Sequence, residues 1–264
     1  MVPDADTDLN KAFLLADIAD SITTKYYLTS DLGTKQKSDN SPVTKADLET
    51  EEALSRVVHE TFGDTYLGEE AVRDDLKGRH WIVDPIDGTK NYMRGMPIWA
   101  TLIGLADEQG PLASVITAPA LGRRWWAAKG QGAWTRDVDG TTRRIHVSDI
   151  DTITEASLLH SSIFSWDKVP AGSEAMLSLL KKAWRNRSVG DFFGHMLVAE
   201  GAADASFEPN LKLWDIAALR LIITEAGGSI WDNGTAKTPA DAPRITITSN
   251  GKLEDALKAV LAKE

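Results

Sequence analysis

A chain of 264 residues with a formal net charge of −10 and no cysteine is long enough to bury a large core, and it excludes disulfides, thiolate metal sites and a cysteinyl-phosphate mechanism. The acidic balance argues against nucleic acid and membrane surfaces as partners, and no apolar run reaches spanning length. The acidic start, Met1-Val-Pro-Asp-Ala-Asp-Thr-Asp8, does not resemble a signal peptide, so a cytoplasmic protein is expected.

Apolar residues at helical spacing, among them Phe13, Ala16, Ala19 and Ile22, predict a helix over 9–27. A second helix is expected over 46–62, closed by Gly63, with Thr44 as its N-cap and Asp47 as the partner in a box-like start. The strand-like run Tyr66-Leu67-Gly68 then delivers Glu69 and Glu70. Trp81-Ile82-Val83 reads as the end of a buried strand. Pro85 cannot donate to a sheet ladder, so the chain is expected to leave the sheet between Asp84 and Asp87, placing both acids at a strand tip. Gly88 lets the backbone come close to a ligand. Thr89 can begin a helix whose free N–H groups would accept phosphate oxygens.

Segments 98–106, 112–117, 124–128 and 142–147 read as successive strands of one sheet, joined by turns rich in Gly, Pro, Asp and Asn. Between the last two, Asp137-Val-Asp139-Gly-Thr141 spells the nucleophile loop of haloacid-dehalogenase-like phosphatases. That loop needs an apolar strand before it, whereas Trp134-Thr135-Arg136 and Thr142-Arg143-Arg144 are polar in pattern, so Asp139-Gly140 reads as a hairpin turn. One ring of Trp125-Trp126 is expected in the core and the other over a surface, and Arg123-Arg124 and Arg143-Arg144 on solvated faces. His160 and His195 lack partners at metal-ligand spacing and read as satisfied structural histidines.

After about residue 150 strands and helices alternate: strands over 157–160, 184–189, 204–207 and 244–248, helices over 174–182, 192–200 and 253–263. Asp215 opens a further helical pattern, 216–226, that Gly227-Gly228 stops. The expected organisation is an antiparallel-rich α+β half over 1–150 carrying Glu69, Asp84 and Asp87, and an α/β half over 151–264 carrying Asp215. The site would lie in the seam.

Each acid alone has an ordinary structural explanation, as a turn residue or helix cap. Converging, Glu69, Asp84, Asp87 and Asp215 would repel by about 4 kcal/mol per pair at 4 Å and an effective dielectric of 20, and that arrangement calls for cations. Carboxylates and carbonyls without Cys or His suit Mg²⁺, with Mn²⁺ as a possible substitute. The ordered motifs Gly68-Glu69-Glu70, Trp81 through Asn91, and Trp214-Asp215-Ile-Ala-Ala with Thr224-Glu-Ala-Gly-Gly228 resemble, over nearly the whole chain, those of the inositol monophosphatase family of Mg²⁺-dependent, lithium-sensitive phosphatases.

The resemblance implies a layered α-β-α-β-α sandwich and a dimer. It implies that Glu69, Asp84 and the Ile86 carbonyl hold one ion, that Asp84, Asp87 and Asp215 hold a second, and that a third, weaker ion sits near Glu69. Gly88 and Thr89 would bind phosphate, and Thr89 and Asp47 would orient and activate a water. The substrate wall would come from Gly190, Asp191 and Phe192 with Glu208, alongside Asp87 and Asp215. The pattern Gly190-Asp191-Phe192, with Lys90-Asn91-Tyr92 and the run from Arg94 to Ile103, is similar to the bacterial histidinol-phosphatase branch. Two anions on the wall, Asp191 and Glu208, favour a cationic leaving group such as histidinol, which would place the enzyme in histidine biosynthesis. Inositol 1-phosphate is the rival substrate within a broad-specificity family. A non-catalytic regulator is the alternative from another class, but it would be expected to lack one of Glu69, Asp84, Asp87, Thr89 or Asp215, and all are present.

Overall fold

The computed structural model describes residues 7–37, 41–70, 73–169, 171–233 and 245–262. They form two units, Met1–Arg144 with Ala217–Ile222, and Ile145–Ile216 with Ile223–Glu264.

In the first unit, α1 (Asp8–Tyr26) is followed by the short pair β1 (Lys35–Gln36) and β2 (Pro42–Val43), then α2 (Lys45–Val57) and a π-helical turn closed by Gly63 at φ 71°. A seven-stranded sheet follows in the order β3 (Thr65–Gly68), β4 (His80–Asp87), β5 (Ala100–Asp107), β6 (Gly110–Ala118), β7 (Arg123–Ala128), β8 (Ala133–Arg136), β9 (Thr142–Ile145), with α3 (Thr89–Met93) between β4 and β5. β3 and β4 run parallel, and β4 through β8 pair antiparallel. Ala12, Leu15, Ala16 and Ala19 make a stripe on α1 that packs, with Leu54 of α2, on Trp81, Val83, Ile103, Leu105, Ala113 and Val115. The sheet's two-residue alternation turns Ile82, Asp84, Leu102 and Gly104 to the opposite face. There Gly104 makes room for a helix: a Cβ built on it would stand 3.2 Å from the backbone of Ala217 and Ala218.

The expectation that the chain quits the sheet after Asp84 needs correction. β4 continues to Asp87, with Asp84 opposite Leu102 and Asp87 opposite Ala100, so three steps on one strand meet two on the other. This is a β-bulge, and Pro85 fits it because the ladder asks no N–H of it there. Thr101 Oγ1 donates to the Pro85 carbonyl at 2.8 Å. A second correction concerns Arg124, which is 8% exposed, with its guanidinium bonded to Asp17 at 2.7 Å and Asp20 at 2.5 Å. Trp125 is buried, and Trp126 packs edge-on against Phe13 at 5.4 Å.

In the second unit the elements are β10 (Ser157–His160), α4 (Gly172–Leu180), β11 (Arg185–Ser188), α5 (Asp191–Ala199), β12 (Ala205–Pro209), the two ends of α6 (Leu213–Glu225), whose middle, Ala217–Ile222, belongs to the first, β13 (Ser229–Asp232), β14 (Ile245–Ser249) and α7 (Glu254–Leu261). The sheet order is β11-β10-β12-β14-β13, with β10 parallel to both neighbours and the rest antiparallel. Ala205, Phe207, Ile245 and Ile247 face a core built with Met176 and Leu179 of α4 and Leu257 and Leu261 of α7. The alternate residues Ser206, Glu208, Thr246 and Thr248 are also buried, on the face that receives α5. Gly194 seats that helix closely, since a Cβ there would meet the Val189 carbonyl at 2.6 Å and Ser206 Oγ at 2.8 Å. β13 was not foreseen; it is four half-buried residues just after a glycine pair. The expected ends at Arg244 and Lys263 fall outside the described residues.

Candidate metal centre and active site

The bulge in β4 brings the first two acids together. In a regular strand residues three apart point to opposite faces, but one inserted residue restores Asp87 to the face of Asp84. The Ile86 N–H donates to Asp84 Oδ1 at 3.0 Å, and Thr89 Oγ1 donates to the Ile86 carbonyl at 3.0 Å, tying the bulge to the start of α3. Gly88 precedes that helix at φ 83°, a conformation that suits glycine.

Half a turn before Ala217, α6 carries Asp215, whose Oδ2 accepts the Lys212 N–H at 2.6 Å as a first-turn cap. Asp215 thus has the ordinary capping role. Asp84, Asp87 and Asp215 each offer a carboxylate oxygen, all within 4.8 Å of one another. At that spacing and an effective dielectric of 20, each pair of charges repels by about 3 kcal/mol, which a divalent cation would relieve. An all-oxygen donor set suits a hard cation, so the residues fit the metal expected from the sequence.

Glu69 lies outside that trio. Its Oε1 accepts Lys37 Nζ at 2.7 Å, and Glu70 Oε1 accepts the same ammonium at 2.8 Å. Burial works against the Lys37 charge, but the two carboxylates outweigh it and push its pKa above the usual lysine range. Burial and the neighbouring Glu69 push Glu70 up to about 7. Glu51 of α2 shapes this turn by accepting the Glu70 N–H at 2.7 Å, and its carboxylate occupies the space a side chain at residue 68 would need, which explains Gly68.

Asp47 closes the capping box: its Oδ2 accepts the Thr44 N–H at 2.8 Å and the Thr44 hydroxyl at 2.6 Å. It is fully buried, Oδ1 has no partner among the described residues, and burial pushes its pKa up to about 6 against the lowering effect of Thr44.

The expected substrate wall lies in the second unit. Gly190 caps α5, and Asp191 follows at φ 58°, a left-handed conformation that Asp tolerates at a cost of about 1 kcal/mol. Glu208, on β12, is 4% exposed, and a Cβ on Gly190 would lie 3.5 Å from its Oε2. Phe192 is buried and tilted against Phe193. His195, read from sequence as structural, is fully buried, with Nδ1 2.8 Å from Thr248 Oγ1 and Nε2 3.5 Å from Glu208 Oε1.

The competing motif is structural. Asp137 Oδ1 accepts Arg123 at 2.5 Å and Oδ2 accepts Arg143 Nε at 2.8 Å, while its N–H donates to the Thr141 carbonyl, closing the turn between β8 and β9. Sequence reasoning missed Lys37 and Glu51. Glu51 had a signal, a carboxylate four residues after Asp47 on the same helix face. Lys37 had none, because its partners lie 32 and 33 residues away.

The inositol monophosphatase family matches residues 4–264. The chain is similar to a histidinol-phosphatase of Streptomyces coelicolor, 41% identical over 98% of each chain. It is also similar to a histidinol-phosphatase of Mycobacterium tuberculosis, 42% identical over 94% of this chain and 95% of that one. An inositol monophosphatase structure from Zymomonas mobilis superposes with a TM-score of 0.80 at 27% identity, covering 97% and 98% of the two chains. With its α/β layers and its acidic trio, the chain belongs to the inositol monophosphatase family, as a phosphoric monoester hydrolase that uses divalent metal ions on a small phosphate ester.

Proposed function

We propose that the enzyme is a histidinol-phosphatase, hydrolysing histidinol phosphate to histidinol and phosphate with Mg²⁺. The observation that carries this reading is the buried carboxylate of Glu208 beside Gly190-Asp191, which suits an ammonium-bearing alcohol better than a neutral polyol. The names of the Streptomyces and Mycobacterium relatives support it.

Asp84, Asp87 and Asp215 would hold one ion, and Glu69 with Asp84 and the Ile86 carbonyl another. Bound there, the ions neutralise the phosphate dianion and acidify water. Gly88 and the start of α3 receive phosphate oxygens. The Thr89 hydroxyl, already donating to the Ile86 carbonyl, keeps its lone pairs to orient a water O–H. Asp47 Oδ1, without a partner and with its pKa near 6, can take a proton.

The test compares phosphate release from histidinol phosphate and inositol 1-phosphate with Mg²⁺ present. A kcat/KM on histidinol phosphate at least about 10-fold the higher is expected, the effect of one charged contact. Equal or greater efficiency on inositol 1-phosphate refutes the assignment. Asp87→Asn should cost at least about 100-fold, at or above the range for outer-shell metal partners, while Asp137→Ala retains activity.

A further inference from the structure

On the α5 face of the second sheet, four buried polar atoms lack a hydrogen-bond partner among the described residues: His195 Nε2, Glu208 Oε1, Ser206 Oγ and Thr246 Oγ1. Two of them face each other, His195 Nε2 and Glu208 Oε1, 3.5 Å apart with side chains 1% and 6% exposed. An orphaned buried carboxylate oxygen is costly, and the imidazole, with its ring nitrogen 3.5 Å away, is placed to satisfy it.

The proton arrangement follows from the chemistry of the three groups. An ionised carboxylate only accepts, so a bond to Glu208 requires the proton on Nε2. A neutral ring then has a bare Nδ1, which accepts the Thr248 hydroxyl 2.8 Å away. Thr248 lies on β14 and Glu208 on β12, whose ladder pairs Ser206 with Thr248 and Glu208 with Thr246, so both ends of the chain are anchored in one sheet. Gly194, in contact with Ser206 and the Val189 carbonyl, fixes the distance of the helix that carries the ring.

The geometry points to His195 as a positioning residue for Glu208: the Thr248–His195 pair engages Oε1 and fixes the carboxylate in place, leaving Oε2, beside Gly190, to receive the cationic part of the substrate. This deepens the histidinol-phosphatase reading and rests on it for the identity of the cation. His195 itself touches no substrate in this scheme.

Nitrogen-15 shifts of the histidines in the full chain test the proton arrangement without any substrate. His195 should be protonated at Nε2 and bare at Nδ1, and its Nε2 resonance should move in Glu208→Gln. The opposite tautomer, or shifts indifferent to residue 208, overturns the proposal. In kinetics, His195→Leu should lower kcat/KM for histidinol phosphate relative to para-nitrophenyl phosphate by about 10-fold, mainly through KM, the scale expected for a charged hydrogen bond. His195→Gln, which keeps an N–H donor, should recover most of that ratio. Equal losses on both esters with either variant would make His195 merely structural and overturn the proposal. A wild-type enzyme that does not prefer histidinol phosphate would refute the substrate reading alone, and the tautomer would still decide the role of His195.

Discussion

Asp47 does two jobs with its two oxygens. Oδ2 takes both bonds from Thr44 and starts α2, while Oδ1 is buried and, among the described residues, without a partner. Any substitution therefore touches the helix start and, in the proposed mechanism, the proton acceptor, and the pH dependence of stability reports on the carboxyl itself. With a folded pKa near 6 and an unfolded value near 4, the native state binds the proton more tightly across that window. Its contribution to stability is thus fullest below pH 4 and declines as pH rises to 6, by about 3 kcal/mol in all. Denaturant titrations of the metal-free protein should show a decline that Asp47→Asn flattens; parallel curves for the two proteins would mean that Asp47 carries no raised pKa. The capping half of this was legible in the sequence, because a box has fixed spacing. The burial behind the shifted pKa was not, because it depends on what packs over the helix. Arg124 makes the same point: two adjacent arginines on a strand look solvated until α1 supplies Asp17 and Asp20.

At the scale of elements, the acids at 84 and 87 could be read from the sequence as neighbours, but the route differs from the expected one. Pro85 announced a break in the ladder, and no residue announced that pairing resumes at Asp87 opposite Ala100. The bulge is what puts both carboxylates on one face, so it belongs to the site as much as they do. Helix α6 has a comparable dependence. Its approach to β5 is set by the missing side chain at Gly104, with the Ala217 and Ala218 backbone 3.2 Å from where a methyl carbon would stand. Gly104→Ala should lift the helix by a few tenths of an ångström and take Asp215 with it. The Mg²⁺ concentration for half-maximal phosphatase activity should then rise by about 10-fold, the low end of what disturbing a metal's supporting groups costs. An unchanged Mg²⁺ requirement would mean that the helix absorbs the methyl group without moving its first turn.

For the molecule as a whole, the family match runs over residues 4–264, so it takes in the ordinary strands and helices as well as the acidic motifs. Among the described residues no helix is long and apolar enough to cross a membrane. A metal that binds only the native state must stabilise it: at a hundred times its dissociation constant the gain is about 2.7 kcal/mol. For a chain of this size that is roughly 5–10 °C in Tm. Calorimetry with chelator and then with Mg²⁺ should show that rise, and Asp87→Asn should remove most of it. A Tm indifferent to Mg²⁺ in the wild-type protein would count against the trio as a binding site.

Lys37 adds a consequence for Glu69. Its ammonium already rests between Glu69 and Glu70, so charge there is balanced by the polypeptide itself. An ion held at Glu69, as the proposed mechanism has it, would compete with that ammonium for the carboxylate, and its apparent affinity would include the work of loosening the pair. The protein carries its own competitor for that position, tethered and always at hand.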